Sequence, residues 1–328
     1  MKRRCLMSAL VLSTAILVTP QILPATSKSE QDVNAIGNRR VAHRSIISEE
    51  KEIAIGKQYA AQVERTAKLV KDPVVSEYIN RIAQNLARNS DLKIPVTAKV
   101  IDDPAINAFA LPGGFLYINS GVIQAADGED QIAGVIAHEI AHVAARHWAS
   151  EMTKQTILRY AMIPLIFTPM SYPVYMGVSE AMNFGIPLAF LKFSRADEAE
   201  ADYLGIQYMY KAGYDPNAYV AFFGRIMQKE RQQPGSVASI FMDHPLTPDR
   251  VIKAEQEIKT ILPKRNEYLV TTSEFSDVKS RLETVVAQLR KGRESRPTLR
   301  RRPSTDAPQN SGNSKSDGDQ PPVLRRRD

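Results

Sequence analysis

The chain has 328 residues, 43% of them hydrophobic and 24% charged, with a formal net charge of +7. That charge sits at the ends: residues 1–27 hold three basic and no acidic residues, residues 291–328 hold ten basic against five acidic, and the body between carries about −1. A basic nucleic-acid-binding body is thereby excluded, and Cys5, the single cysteine, excludes an internal disulfide or a thiol nucleophile in a mature chain.

Met1-Lys-Arg-Arg4, the apolar run from Cys5 to Val18 and the small residues beyond Pro20 read as a secretory signal peptide over 1–27, cleaved after Ser27. The run is short for a membrane span, and an uncleaved N-terminal anchor is the alternative. A linker over 28–47 leads to a helix from Ser48 to about Leu69 and a second from Pro73 to Arg88. Val96–Ile101 and Phe115–Ile118 have strand composition. The alternation in the second run suits either a core strand or a strand on a cleft rim that binds an extended peptide.

A long helix is expected over about 129–150, with Asp127 as its cap and Glu129 and Asp130 in its first turn. It carries His138-Glu139-Ile140-Ala141-His142. At i and i+4 the two imidazoles share a face and can close on one metal ion. Glu139, rotated by roughly 100° from His138, is better placed to reach a metal-bound water. That layout suits zinc hydrolysis of a peptide bond, in which the metal lowers the pKa of its water and the glutamate takes the proton. A histidine pair can also be a hydrogen-bonded surface feature. Here the flanks from Gln131 to Arg146 are apolar nearly all round, so the pair is expected to be buried and to need a metal or polar partner. His147 points off the ligand face and reads as a structural or surface histidine.

Residues 157–193 lack charge from Tyr160 to Val178 and are broken by Pro164, Pro169 and Pro173. The prolines argue against a spanning helix. The segment reads as a lid over the cleft, with Met162, Met170, Met176 and Met182 as adaptable contacts, or as a shallow membrane-facing stretch.

A catalytic zinc takes three protein ligands, and Trp148 stands where an extended HExxHxxGxxH motif would place a histidine, so the third must come from elsewhere. Ser194 with Asp197 reads as a capping box that starts a helix over 195–212, stopped at Gly213. Glu198 and Asp202 share one face of it, whereas Glu200 lies about 200° from Glu198. Glu198 as ligand and Asp202 as acceptor for a ligand histidine would complete the site. Taken alone, the same residues are more commonly a solvated acidic face partnered by Arg195. Helices follow over about 216–231 and 248–261, a short strand over Tyr268–Thr272, and an amphipathic helix through Arg290. His244, ahead of Pro245, reads on its own residues as a turn histidine. The tail over 291–328 has almost no apolar content and is expected to be disordered and solvated, with anionic lipid, cell-wall polymer or nucleic acid as its alternative contacts.

The HExxH motif, Ser194-Arg195-x-x-Glu198-x-x-Ala201-Asp202, the segment Asn107–Gly121 and His244-Pro245…Arg250 occur in an order that resembles the zinc metallopeptidases of the CAAX prenyl endopeptidase and HtpX type, which are gluzincins. The likeness covers about residues 48–263 and is strongest to soluble, exported bacterial members, including a periplasmic type that serves quality control of outer-membrane β-barrel assembly. It implies an α+β fold: a mostly helical zincin-type metallopeptidase domain with a small sheet, here over 48–290. It also implies one Zn2+ per chain on His138, His142 and Glu198, with Glu139 as general base and Asp202 as a supporting or proton-handling carboxylate. His244 would lie near the metal, stabilising an oxyanion or filling the open position at rest, and Arg250 would steady that loop. The activity implied is zinc-dependent endoproteolysis of exported, unfolded or misassembled polypeptides in the periplasm. Outer-membrane assembly machinery is an expected partner, with peripheral membrane contact through the lid or tail and no specific nucleic acid. The alternative function is a zinc-stabilised chaperone or assembly factor whose proteolysis is suppressed.

Overall fold

Polar caps set where the helices begin. Ser48 accepts from the Lys51 amide to open α1 (Glu49–Thr66), and Asp72 accepts from the Val75 amide, ahead of Pro73, to open α2 (Pro73–Arg88). The apolar stripe of α2 buries Val75, Tyr78, Ile79, Ile82, Ala83 and Leu86. The computed structural model describes residues 32–166, 193–232, 244, 247–269 and 273–294. The expected signal peptide, the lid from 167 to 192, the end of the expected strand at 270–272 and the tail from 295 lie outside the described residues.

Three strands follow: β1 (Thr97–Ile101), β2 (Ala108–Leu111) and β3 (Phe115–Asn119). The sheet order is β1-β3-β2, with β3 parallel to β1 and antiparallel to β2. Gly113 and Gly114, at φ of 80° and 85°, make the β2–β3 turn in a backbone region that side chains disfavour. This order favours the core-strand reading of Phe115–Ile118 over the cleft-rim one. That run is the central strand, paired on both sides; the edges are β1, bridged at Ile101 by Leu69, and β2, which among the described residues pairs only with β3.

The remaining elements are α3 (Ser120–Ala125), α4 (Glu129–Ala144), α5 (His147–Ile166), α6 (Arg195–Ala212), α7 (Asn217–Gln232), α8 (Pro248–Ile261) and α9 (Ser273–Glu294). The result is a mostly helical α+β domain with a small sheet, as the sequence leads one to expect. Its centre is α4, buried at every position from Gln131 to Ala144, against which α2, β2, α6 and α7 pack. Its most extensive packing is against α6. A Cβ built on Gly205 would stand 3.2 Å from the backbone of His138, so the absent side chain is what lets the two helices meet there. Among the described residues no helix is long and apolar enough to cross a membrane.

Two local expectations are corrected. Asp127 is not the cap of α4: the N-cap is Gly128, with no side-chain bond, and Asp127 instead pairs with Arg225. Nor does one helix run from 129 to 150. The chain turns at Arg146, whose φ of 56° is left-handed, and restarts as α5 at His147. That conformation costs a non-glycine residue about 1–2 kcal/mol. Arg146 is held in it by its Nε donating to Glu52 (2.9 Å) and its Nη2 to the Ile47 carbonyl (2.7 Å).

Residues 32–47 lie packed across this centre rather than loose. Val33, Ile36 and Val41 are buried, and the Arg39 guanidinium, wholly enclosed, donates to Asp91 (2.6 Å) and Gln207 (2.5 Å). Further along, the His43 amide donates to the carbonyl of Ala145 at the end of α4 (2.9 Å).

Candidate metal centre

Helix geometry builds the site from two sides. On α4, His138 and His142 present their Nε2 atoms to each other at 3.1 Å. From α6, whose start is fixed by the Ser194–Asp197 capping box, the Glu198 carboxylate reaches 3.5 Å from each of those nitrogens. His244 brings its Nδ1 to 2.7 Å from Glu198 Oε1 and 3.4 Å from His138 Nε2. The four residues are buried, and one donor atom from each lies within 4.8 Å of all the others. The sequence reading of His244 as a turn histidine is therefore replaced by a place in the cluster.

Behind this group stands a layer of charge. Asp202, one turn after Glu198, sits 3.1 Å from His138 Nδ1 and accepts from Arg250 Nε (2.7 Å) and Nη2 (2.6 Å) and from the Tyr219 hydroxyl. Arg250 Nη1 also pairs with Glu198 at 2.8 Å. The family likeness gives Arg250 the role of steadying the His244 loop; its contacts show that it neutralises the two carboxylates of α6. Tyr219 has no signal in the sequence, since an aromatic at a helical core spacing carries no mark of a buried hydroxyl contact.

The ionisation of the group follows from burial and proximity. Burial disfavours the His138 cation, but the Asp202 and Glu198 carboxylates outweigh it and push its pKa up to about 9. Burial, together with the neighbouring His138 and His244, drives His142 well below its ordinary value. Burial would raise Glu198, yet His138 and His244 hold it far below the carboxylate range, and Arg250 and His138 likewise lower Asp202. Glu139 behaves differently. Burial pushes its carboxyl up, and among the described residues no side chain hydrogen-bonds to either oxygen. The imidazole of His244 stands beside it, with its Nε2 3.6 Å away.

These residues suit a metal. Tetrahedral zinc with bonds of about 2.0–2.1 Å sets its ligands roughly 3.3 Å apart, and the spacings of 3.1–3.5 Å among His138, His142 and Glu198 fit that figure. Moreover, Asp202 holds a His138 proton at Nδ1, so it is the Nε2 facing His142 that offers a lone pair once its own proton is given up. Two buried lone pairs at that distance need a cation or a proton between them. Beside the cluster a cavity of about 420 Å³ is lined by Phe193, Arg195, Glu198, Asp202, Arg250 and Glu257, among others.

A buried HExxH pair joined by a glutamate from a second helix is the plan of a metallopeptidase. The profile of peptidase family M48 matches residues 73–258. A putative beta-barrel assembly-enhancing protease of Vibrio cholerae is 32% identical over 225 residues, 67% of this chain and 46% of that protein. The beta-barrel assembly-enhancing protease of Escherichia coli is 29% identical over 255 residues (76% and 52%), and the mitochondrial metalloendopeptidase OMA1 of Schizosaccharomyces pombe is 34% identical over 192 residues (57% and 54%). The chain belongs to peptidase family M48, which implies a metal cofactor. It spans about half the length of the curated relatives it matches.

Proposed function

We propose that the chain is a zinc-dependent endopeptidase, with His138, His142 and Glu198 as the zinc ligands, one Zn2+ per chain, and Glu139 as general base. The observation that carries this is the return of Glu198, from a separate helix, to 3.5 Å from both imidazoles. When bound, zinc supplies the Lewis acidity that activates water and polarises the scissile carbonyl. Glu139, buried and bonded by no side chain among the described residues, takes the proton of the attacking water and returns it to the leaving nitrogen. Its raised pKa suits both the uptake and the return. Asp202 fixes the orientation of His138, and Arg250 and Tyr219 keep Asp202 in place. An extended substrate would add as a further strand to the β2 edge, where the Ala110 backbone adjoins Glu139.

His244 decides between two resting states. With its Nδ1 2.7 Å from Glu198 and 3.4 Å from His138 Nε2, it would supply a fourth donor if it held the metal at rest, and substrate would then have to displace it. This supports a suppressed resting protease and is the observation that favours the second reading, a zinc-stabilised chaperone or assembly factor. The substrates we assign are unfolded or misassembled exported polypeptides in the cell envelope. The signal-like N-terminus and the beta-barrel assembly-enhancing relatives support that assignment, and contact with outer-membrane assembly machinery follows from the same likeness.

The test is cleavage of an unfolded protein such as casein. Glu139→Gln is expected to lower turnover by at least 10²-fold while retaining one zinc, and Glu198→Ala to lose both zinc and activity. Equal proteolysis by wild type and Glu139→Gln would refute the assigned base. His244→Ala is expected to raise activity if the ring blocks the site and to lower it if the ring stabilises the oxyanion.

A further inference from the structure

His138 and His142 turn the same nitrogen inward, so each must hold its outward Nδ1 proton against an acceptor. For His138 the acceptor is a carboxylate, Asp202. For His142 it is another imidazole: His147 Nδ1 lies 2.9 Å from His142 Nδ1, and His147 is 1% exposed. The far side of that ring, Nε2, faces Glu200 Oε2 at 3.4 Å, and the same oxygen is 2.8 Å from His43 Nε2 on the N-terminal strap. His147 is thus neither a surface residue nor an inert one.

We infer that His147 and Glu200 form a positioning chain that fixes His142 as a metal ligand, with His43 anchoring its outer end. The inference rests on the zinc reading above. The direction of the protons carries it. To offer its Nε2 lone pair to a metal, neutral His142 must carry its proton on Nδ1 and donate it to His147 Nδ1. His147, accepting there, carries its own proton on Nε2 and donates it to Glu200. The reverse order would place the His142 proton on Nε2, between the ring and the metal. Glu200 closes the series as an acceptor, with one carboxylate oxygen 3.4 Å from His147 Nε2 and 2.8 Å from His43 Nε2.

The acidic side chains at 198, 200 and 202 of α6 thereby divide the work. Glu198 reaches the metal position, Asp202 ends the proton chain behind His138, and Glu200 ends the one behind His142. Glu200 faces away from Glu198 on its helix, and it is recruited because the left-handed corner at Arg146 swings His147 back beside His142. His43, His147 and Glu200 also come close enough together to hold a metal of their own. In that state, however, His147 Nε2 would have to release its proton, and the chain could no longer set the His142 tautomer. The two uses are exclusive, and loading of the HExxH site selects the chain.

The experiment measures zinc affinity and stoichiometry of the full-length chain, stripped of metal and titrated against a chromophoric zinc chelator. His147→Leu is expected to bind zinc roughly 10–100-fold more weakly than wild type. His147→Asn, whose Oδ1 can accept in place of Nδ1, should recover most of that loss, and Glu200→Gln should show a smaller deficit. Thermal unfolding of the zinc-free variants checks that they fold. In casein cleavage at saturating zinc, His147→Leu should lower kcat with little change in KM. Wild-type affinity in His147→Leu, or equal losses in the leucine and asparagine variants, would overturn the chain while leaving the zinc site intact. So would a second zinc per wild-type chain that His147→Leu abolishes. A wild type that binds no zinc at all would overturn this inference and the proposed function together.

Discussion

Replacing Arg250 with methionine tests the charge balance on which the whole centre depends. The guanidinium is 10% exposed and makes three close contacts, to Glu198 at 2.8 Å and to the two oxygens of Asp202 at 2.6 and 2.7 Å. Both carboxylates are almost fully enclosed, at 3% and 5% side-chain exposure. Breaking a buried pair by removing one partner costs about 3–5 kcal/mol. The lower end applies here, because the Tyr219 hydroxyl still donates to Asp202 and His138 can hold a proton beside both acids. For a domain of this size each kcal/mol shifts Tm by about 2–4 °C, so zinc-free Arg250→Met should melt roughly 6–12 °C below zinc-free wild type. Saturating zinc brings positive charge back to the same carboxylates and should narrow that gap. The sign with pH is also fixed. Glu198 and Asp202 have folded-state pKa values below their unfolded ones, so the stabilisation is complete above about pH 5 and is lost as pH falls through the folded values. Circular dichroism melts of both proteins, with chelator and with zinc, make the comparison. Zinc-free melting points within 2 °C of each other near neutral pH would refute the reasoning.

Gly205→Val should destabilise by about 1–3 kcal/mol through overpacking, since its Cβ would press on the His138 backbone at 3.2 Å, and should weaken zinc binding by forcing α6 from α4; unchanged affinity by chelator competition would count against this. Zinc binding at pH 7.5 should release about one proton, because His138, with a pKa near 9, must give one up; calorimetry in buffers of different ionisation enthalpy reads the number, and a value of zero would contradict it. Burial and the nearby Asp202 raise Glu257 to about 7 from an ordinary 4.5. The folded state therefore binds the extra proton between those values, and stability falls as pH rises through that window. Glu257→Gln should be about 1–2 kcal/mol more stable than wild type above pH 7, a figure discounted for partial solvent exposure, and equal to it near pH 4.5, as urea unfolding at both pH values will show.

The parts of the site carried by helical spacing are legible in the sequence. Two histidines four apart and two acids four apart each define one face, and Ser194, Asp197 and Gly213 mark both ends of α6, which spans Arg195–Ala212 as expected. Strand β2 is not legible, because Ala-Phe-Ala-Leu lacks β-branched residues and is a strand only by virtue of its pairing with β3. The corner at Arg146 is hidden for a related reason: apolar periodicity continues on both sides, and the residue that turns is an arginine, held by Glu52 from a distant helix. Glu200 escapes notice because it faces away from Glu198, which is correct for the helix and misleading for the molecule. What recruits it, His147 and His43, arrives from two other segments. Local rules place side chains on an element, but they do not say which neighbour will stand on each side of it.

The bend at Arg146 has a consequence for how this chain can diverge. Because the joint between α4 and α5 is so short, chain length there acts as a dial. One added residue there would move His147 off the corner that sets it beside His142 and uncouple the two rings. Sequence drift at exposed positions nearby can be absorbed, whereas an insertion or deletion between 143 and 147 should be purged from any active descendant.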